Sequence, residues 1–213
     1  MQNSKLKTPP IPDPLPRSPQ PWRLGILASG NGTNMAAIAA AIATGQLHAE
    51  IAVVIYNNPG AGIVAQAEKY GLPTVLHNHR DHPTREDLDG ALVATLKQHW
   101  VDWVVMAGWM RRVTAVLLDA FPRRMVNIHP SLLPSFPGVR AVEQALQAGV
   151  TVTGCTVHFV ELVVDSGPII MQAAVPIFPT DTPATLQARI QVQEHRIYPA
   201  AIALAASGFS AID

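Results

Sequence analysis

MVNIHPSLLPSFPGVR spans residues 125–140, and it decides the fold because an apolar strand runs directly into a stiff turn. Met125, Val126 and Ile128 are apolar, whereas Asn127 and His129 interrupt the run with polar groups. Turn-forming residues follow at once: Pro130, Pro134, Pro137 and Gly138. Polar groups at the end of a buried strand, held by a stiff loop, are typical of a ligand site at the carboxyl edge of an open α/β sheet.

A second stretch, GCTVHFVELVVD at residues 154–165, adds a strand with His158 and a loop that ends in Asp165. An amide, an imidazole and a carboxylate are the groups needed to stabilise an oxyanion and to move a proton. On the residues alone simpler roles stay open: Asn127 could bond a turn, His129 could be a satisfied core histidine, and Asp165 could cap its own turn. The tight turn around Leu133 makes Pro134 a candidate for a cis peptide bond.

The first predicted strand, residues 22–28, leads into SGNGTN at residues 29–34 and then into a helix closed by Gly45. Strand, glycine turn and helix together aim backbone N–H groups at an anion, and Thr33 and Asn34 could cap the helix or bind phosphate oxygens. The rival hypothesis is a dinucleotide site. Met35 stands where that fingerprint needs its third glycine, and the second strand ends in Asn57 rather than an acid. The loop therefore predicts a phosphate monoester.

The remaining pattern predicts a single α/β domain, Rossmann-like and doubly wound around a mostly parallel sheet. We expect helices at residues 61–70, 84–99, 114–121 and 141–148, and strands at residues 50–56, 73–76, 103–107, 152–160 and 169–177. Thr182 and Pro183 start a last helix, which Pro199 interrupts.

Composition limits the function classes. The chain has 213 residues, 48% of them hydrophobic, which is enough for one globular domain. Lys+Arg and Asp+Glu both number 15, and this balance argues against a nucleic-acid partner. No apolar run is long enough to suggest a membrane partner. Cys155 is the single cysteine, so an internal disulfide is excluded and a cytoplasmic location is expected.

Residues 1–21 contain seven of the 19 prolines, so we expect a disordered, extended leader before a catalytic domain at residues 22–213. A role for the leader as a proline-rich ligand stays open. Another biased segment holds His77, His79 and His82. Their spacing in a proline-containing loop fits no familiar metal site, so we expect a solvated loop and predict no metal.

Three segments, NIHPSLLPSFPG, GCTVHFV and VDSGPII, resemble the folate-dependent formyltransferases in order and spacing. With SGNGTN, the resemblance narrows to those that act in purine synthesis, and it covers about residues 22–208. It implies the formyltransferase fold and transfer of the formyl group of 10-formyltetrahydrofolate to the amine of phosphoribosylglycinamide. The expected route is direct attack through a tetrahedral intermediate, with the folate as co-substrate and no metal.

The resemblance also implies roles for individual residues. Catalysis would fall to Asn127, His129 and Asp165. From its place within a strand we expect His158 to orient these groups, and we expect Ser131 to shape the proline-rich loop. The acceptor substrate would be bound by Gly32, Thr33, Asn34, Gln191, Val192, Gln193 and Glu194, with Glu194 at its amine. On the residues alone, Gln191 and Glu194 would instead lie on a wet helix surface. The folate would be bound by Arg85, Met110, Arg111, Arg112, Val113, Asn127, Glu161, Leu162, Val163, Val164 and Asp165.

Two positions depart from the family pattern. Arg112 stands where an apolar residue is common, and the loop at residues 161–165 is less acidic than usual. Contacts through the backbone would survive both changes, whereas contacts through side chains would not.

Related activities remain as alternatives. A formyltetrahydrofolate hydrolase or another folate-dependent amine formyltransferase shares the chemistry but has no obvious need for the phosphate loop. Outside enzymes, a non-catalytic folate-binding module or an interaction protein that uses the leader is conceivable. We expect small-molecule substrates as the partners, and a monomer or a homodimer.

Overall fold

The structure, a computed structural model, describes residues 11–208. Within that range one sheet is built from seven strands: β1 (Trp22–Ala28), β2 (Ala49–Tyr56), β3 (Thr74–Leu76), β4 (Trp103–Met106), β5 (Met125–His129), β6 (Val152–Phe159) and β7 (Ile169–Pro176). Every predicted strand is present, with its ends within one residue of the expected ones.

The helices in the described range are α1 (Thr33–Ala43), α2 (Ile63–Lys69), α3 (Arg85–Gln98), α4 (Ala115–Ala120), α5 (Ala141–Gln147) and α6 (Pro183–Ala206). Their starts follow local chemistry. At α3 the Thr84 side chain accepts from the Asp87 N–H, and the Asp87 carboxylate accepts from the Thr84 N–H. The start of α6 has the predicted Thr182 cap followed by Pro183.

The strand order is β3-β2-β1-β4-β5-β6-β7, with β1 to β5 parallel and the last two strands antiparallel. One apolar cluster joins the sheet to α1 and α6, and a second joins the other face to α3 and α4. The predicted doubly wound, mostly parallel α/β sheet is confirmed.

The chain leaves the sheet in opposite directions at the boundary between β1 and β4. β1 has β2 on one side and β4 on the other, so the loops that follow β1 and β4 diverge above their carboxyl ends. A crevice opens at such a switch point in open α/β sheets, and ligands bind there. The glycine loop follows β1 and the loop beginning at Gly108 follows β4, so both border this crevice.

One local expectation needs correction. Pro199 does not interrupt the last helix, which runs unbroken to Ala206. The buried Tyr198 hydroxyl donates to the Met106 carbonyl at 3.0 Å, with the Val126 carbonyl at 3.3 Å, so packing on the sheet holds the helix despite the missing proline N–H.

The leader, where it is described, lies against the domain. Arg17 donates to the Gly45 carbonyl at 2.9 Å, and Ile11 and Leu15 pack against the core. Residues 11–21 are therefore not detached from the domain. The expected disorder of residues 1–10 lies outside the described residues, and the boundary at residue 22 stays a prediction.

None of the helices in residues 11–208 has the length and apolar character needed to cross a membrane.

We expect Gly154→Ala to destabilise the protein by about 3 kcal/mol, at the upper end of the range for overpacking. A Cβ at Gly154 would lie 1.9 Å from the Ala173 carbonyl oxygen and 2.8 Å from Leu132, so β7 and the proline-rich loop would both have to move. Urea unfolding gives the change in free energy. As a control, Gly90→Ala, in α3 with open space around the new Cβ, should be neutral or stabilising by about 0.5–1 kcal/mol.

Candidate active site

Asn127 and His158 face each other across the antiparallel pair β5–β6. The Asn127 Nδ2 lies 3.2 Å from the His158 Nε2, and the His158 Nδ1 lies 2.8 Å from the Phe159 carbonyl oxygen. Because a carbonyl only accepts, Nδ1 carries the proton, so Nε2 accepts from the Asn127 amide. His158 therefore fixes the orientation of Asn127 and leaves one amide hydrogen of Asn127 unused.

His129 lies two residues beyond Asn127 on β5, so both side chains point to the same face of the sheet. Its Nε2 donates to the Phe136 carbonyl at 2.8 Å, and its Nδ1 lies 3.3 Å from the Asp165 Oδ2. His129 is buried and both of its ring nitrogens have partners, as expected for a histidine that only fills the core. One of these partners, however, is the carboxylate of Asp165. A ring protonated at both nitrogens would satisfy both acceptors.

Asp165 occupies the point where the two histidines converge. Its Oδ2 accepts from the Gly138 N–H at 2.7 Å, and its Oδ1 lies 3.6 Å from the His158 Nε2. Burial raises the pKa of this carboxyl, but the Gly138 N–H and the charge of His129 outweigh it and hold the pKa below its usual range. The oxygens face these groups rather than its own turn, so the turn-cap alternative is wrong.

The proline-rich loop holds this arrangement in an unusual backbone conformation. The Leu133–Pro134 peptide bond is cis, as predicted. Ser131, which is buried, donates to the Ser135 carbonyl at 2.5 Å and so shapes the loop. Three non-glycine residues next to the site have a positive φ: Phe136 (56°), Arg140 (59°) and Asp165 (56°). Such strain collects at sites where the surrounding structure must hold a side chain in place.

A cavity of about 730 Å³ lies beside these groups, at the carboxyl edge of the sheet. Most of the predicted folate residues line it: Met110, Arg111, Arg112, Val113, Asn127, Glu161, Leu162, Val164 and Asp165, together with His129 and His158. Two do not. Val163 is exposed and is not among the lining residues, and Arg85 lies exposed in the first turn of α3.

The segment Met110–Val113, called the platform below, follows β4 and Gly108. The Met110 side chain is 75% exposed, and the exposed Val139 and Leu162 line the same cavity. Apolar side chains around a cavity with a few polar groups at its base suit a flat, partly apolar ligand. Arg112 is exposed and lines the cavity, so its side chain is available to a ligand.

The glycine loop has no side-chain cap at the start of α1. Gly32 is the N-cap residue, with φ 75°, and a Cβ there would lie 2.7 Å from Ile63. Of the two roles left open for Thr33 and Asn34, capping this helix is the one that the structure does not show. Because no side chain accepts a hydrogen bond from the first backbone N–H groups of α1, these groups are available to a ligand.

Asn34 instead joins the glycine loop to α6. Its Nδ2 donates to the Glu194 Oε2 at 2.9 Å, across 160 residues of sequence. Glu194 is only 4% exposed, so the expectation that it lies on a solvated helix surface is wrong. Val192, two residues earlier on the same helix, is 64% exposed. Burial raises the pKa of Glu194, and the hydrogen bond from Asn34 opposes that shift. The residues Gln191, Val192, Gln193 and Glu194 do not line the 730 Å³ cavity.

Sequence reasoning missed several contributors. Gly138 supplies an N–H to Asp165, and Val139, Arg140 and Gln187 line the cavity. The proline–glycine pair at residues 137–138 was a signal for a turn that could present an N–H. Nothing local marks Gln187, because its place depends on how α6 packs.

The histidine-rich segment is engaged with its surroundings. The His77 Nε2 lies 2.8 Å from the Thr95 hydroxyl, and the His79 Nδ1 lies 3.0 Å from the Asn57 carbonyl oxygen. Within residues 11–208 no group of three or more His, Cys, Asp or Glu side chains is arranged to hold a metal ion.

Comparison with known proteins adds to this geometry. The sequence model of a family described as formyl transferase matches residues 22–202. The human trifunctional purine biosynthetic protein adenosine-3 is 45% identical over 186 residues, which cover 87% of the chain but 18% of that protein. The chain thus spans less than a fifth of this much longer relative.

Shorter relatives match over most of their length. The phosphoribosylglycinamide formyltransferase of Bacillus subtilis (strain 168) is 38% identical over 180 residues, covering 84% of the chain and 92% of that protein. The crystal structure of glycinamide ribonucleotide transformylase 1 from Symbiobacterium toebii superposes with a TM-score of 0.89 at 46% identity. That match covers 92% of both chains.

We expect Glu194→Gln to stabilise the protein at pH 7, because burial raises the pKa of Glu194 and so disfavours its charged form, whereas glutamine is neutral. The folded pKa of Glu194 lies above its unfolded value, so the wild type loses stability as pH rises from the unfolded pKa through the folded pKa. The neutral glutamine avoids this loss and can still accept from Asn34.

Urea unfolding between pH 4 and 8 measures the effect. The gain should shrink as pH falls toward the unfolded pKa of glutamate, about 4.3. An equal gain at every pH would show that the burial of charge at Glu194 is not its cause.

Proposed function

The chain belongs to the formyl transferase family, and from that premise we propose that it transfers the formyl group of 10-formyltetrahydrofolate to the amine of phosphoribosylglycinamide. One observation carries the proposal. Asn127, His129 and Asp165 meet at the base of a cavity whose other wall is the platform. An amide donor, an imidazole and a carboxylate there suit acyl transfer to an amine.

The folate is the ligand that best suits the cavity. Backbone N–H and C=O groups of Met110–Val113 suit a flat heterocycle with alternating donors and acceptors, and the exposed apolar rim suits the benzoyl part. Because this recognition runs through the backbone, Arg112 in place of an apolar residue is tolerated. Contacts from Arg85, Val163 and the rest of the 161–165 loop to the folate belong to the same proposal.

The acceptor substrate is bound from the other side of the switch point. Its phosphate lies at the uncapped start of α1, on Gly32, Thr33 and Asn34. Glu194, held by Asn34, binds the amine end, with Gln191, Val192 and Gln193 beside it on α6. A carboxylate that is buried at a cost to stability is typical of a binding group kept for function, which supports this assignment.

The amine nitrogen attacks the formyl carbon, a C–N bond forms, and the carbonyl oxygen becomes an oxyanion. Asn127 donates to this oxyanion with the amide hydrogen that His158 leaves unused. Asparagine does not titrate, so this donor is present at every working pH. His129 lines the same cavity, and with a proton on each ring nitrogen it would place a positive charge beside the oxyanion.

Proton transfer completes the reaction. The attacking amine loses one proton, and the folate N10 gains one as its bond to the formyl carbon breaks. Asp165 is ionised at neutral pH because its pKa lies below the usual range, so it accepts the proton from the amine through a water molecule and returns one to N10. The proton count balances without a metal.

The substrates are small molecules, and the step belongs to purine synthesis. We propose that the enzyme acts in the cytoplasm as a monomer or homodimer, without nucleic-acid or membrane partners. The longer trifunctional relatives match the chain over a fraction of their length, and their other activities do not enter this proposal.

The direct test follows the absorbance of 10-formyltetrahydrofolate with and without phosphoribosylglycinamide. We expect deformylation only when the amine is present. Asn127→Ala should lower kcat about 10²–10³-fold through loss of the oxyanion donor. His129→Ala and Asp165→Asn should lower it about 10²–10⁴-fold through loss of charge stabilisation and proton transfer.

Matched controls are available for two of these changes. His99→Ala removes a histidine whose hydrogen bonds use only its backbone, since its carbonyl accepts from Arg23 and its N–H donates to Thr95. Asp119→Asn removes an exposed carboxylate on α4. Both should retain wild-type kcat. Equal deformylation without the amine would identify a hydrolase instead, and no turnover in folded protein would point to another acceptor or a binding module.

We expect Asn34→Ala to raise KM for phosphoribosylglycinamide about tenfold, because Glu194 loses the donor that orients it and a phosphate contact disappears. KM for the formylfolate should stay within about twofold, because Asn34 does not line the folate cavity. Steady-state kinetics with each substrate varied in turn separates the two. An equal rise in both KM values would contradict the division of the site into two halves.

A further inference from the structure

Ser29 is the residue at which the loops after β1, β2 and β4 meet. Its N–H donates to the Gly108 carbonyl at 3.0 Å, and its Oγ accepts from the Met110 N–H at 2.8 Å. Its carbonyl accepts from the Asn58 side chain at 3.0 Å. Every polar atom of this residue is thus committed to a bond that joins two loops at the switch point.

The two loops that Ser29 joins hold different ligands in the proposed function. Ser29 is the first residue of the glycine loop, which binds the phosphate. Met110 is the first residue of the platform, which binds the folate. Because the Met110 side chain is 75% exposed and so packs little, the hydrogen bond to Ser29 Oγ is a principal restraint on this end of the platform.

The other end of the platform has a separate restraint. The buried Asp89 of α3 accepts from the Thr114 N–H at 2.6 Å, directly after Val113. Thr114 in turn caps α4 by accepting from the Val116 N–H. This anchor makes no hydrogen bond to the glycine loop, so among the hydrogen bonds of residues 11–208 it is the one from Met110 to Ser29 that joins the platform to that loop.

We propose that Ser29 is a positioning residue that couples the two substrate sites, so that phosphate bound on the glycine loop orders the platform and raises its affinity for the folate. The inference rests on the proposed function. A ligand that removes motion from the glycine loop removes it from Ser29 and, through Oγ, from Met110. Binding of the second ligand then costs less conformational entropy, and the same coupling applies whichever ligand binds first.

The side-chain bond can be removed without the backbone bond. Ser29→Ala loses the acceptor for the Met110 N–H but keeps the N–H donation to Gly108 and the carbonyl that accepts from Asn58. The path of the glycine loop should therefore persist, and phosphate recognition with it. A change in coupling would then result from loss of the hydrogen bond between Ser29 Oγ and Met110, and not from a changed conformation of the glycine loop.

The experiment measures the Kd of tetrahydrofolate by calorimetry, with and without saturating phosphoribosylglycinamide. Tetrahydrofolate carries no formyl group, so no reaction follows. In the wild type we expect binding at least about fivefold tighter with phosphoribosylglycinamide present. In Ser29→Ala the ratio of the two Kd values should fall to within about twofold of one, with the affinity for phosphoribosylglycinamide alone changed by less than about threefold.

Two control variants separate this role from general loosening. Ser207→Ala removes a serine hydroxyl that donates to the Leu204 carbonyl at the end of α6, and it should keep the wild-type ratio. Asp89→Asn weakens the other anchor, so it should weaken tetrahydrofolate binding in both conditions and leave the ratio unchanged.

Three outcomes overturn the inference: a wild-type ratio of one, a wild-type ratio retained in Ser29→Ala, or a ratio lost equally in Asp89→Asn. In each of these both ligands still bind, so the proposed function stands. Folded wild-type protein that binds neither ligand would overturn the proposed function as well.

Discussion

The antiparallel pairing of β5 with β6 is the constraint on which the site depends. It aligns Asn127 with His158, and the loop that leaves β6 beside the start of β5 carries Asp165 to within reach of both His158 and His129. Because side chains alternate along a strand, a slip of one residue in this register would turn Asn127 and His129 to the opposite face. The parallel part of the sheet supplies the crevice, whereas the reversal of direction at β6 supplies the groups that act in it.

Several features of the site reduce stability and are held by the surrounding packing. Phe136, Arg140 and Asp165 have positive φ values, each of which costs on the order of 1 kcal/mol for a non-glycine residue. Glu194 is buried with one recorded donor, so its charged form is disfavoured. These residues lie around one crevice, whereas the rest of the sheet is packed from both faces by well-formed clusters. The distribution fits a rigid scaffold that carries a strained, preorganised site.

Local sequence signals predicted most of the elements, because they act within a few residues. Thr182 and Pro183 mark the start of α6, and the Gly45 position marks the end of α1. The same local reasoning was wrong where packing decided the outcome. Pro199 was expected to interrupt a helix that tertiary contacts keep continuous, and Glu194 was expected on a wet face although α6 buries it against α1. Helical spacing identifies which residues share a face, but it does not identify what covers that face.

The sequence by itself determined the elements, the order of strand, glycine loop and helix, and the chemical groups available at the end of β5, because each follows from backbone preference and periodicity. Only the tertiary structure decided which of these groups meet. The bonds between Asn34 and Glu194, Gly138 and Asp165, and Ser29 and Met110 join residues that are 160, 27 and 81 positions apart. Such contacts depend on strand order and register, which bring the carboxyl ends of separate strands to one edge, and no local pattern encodes that proximity.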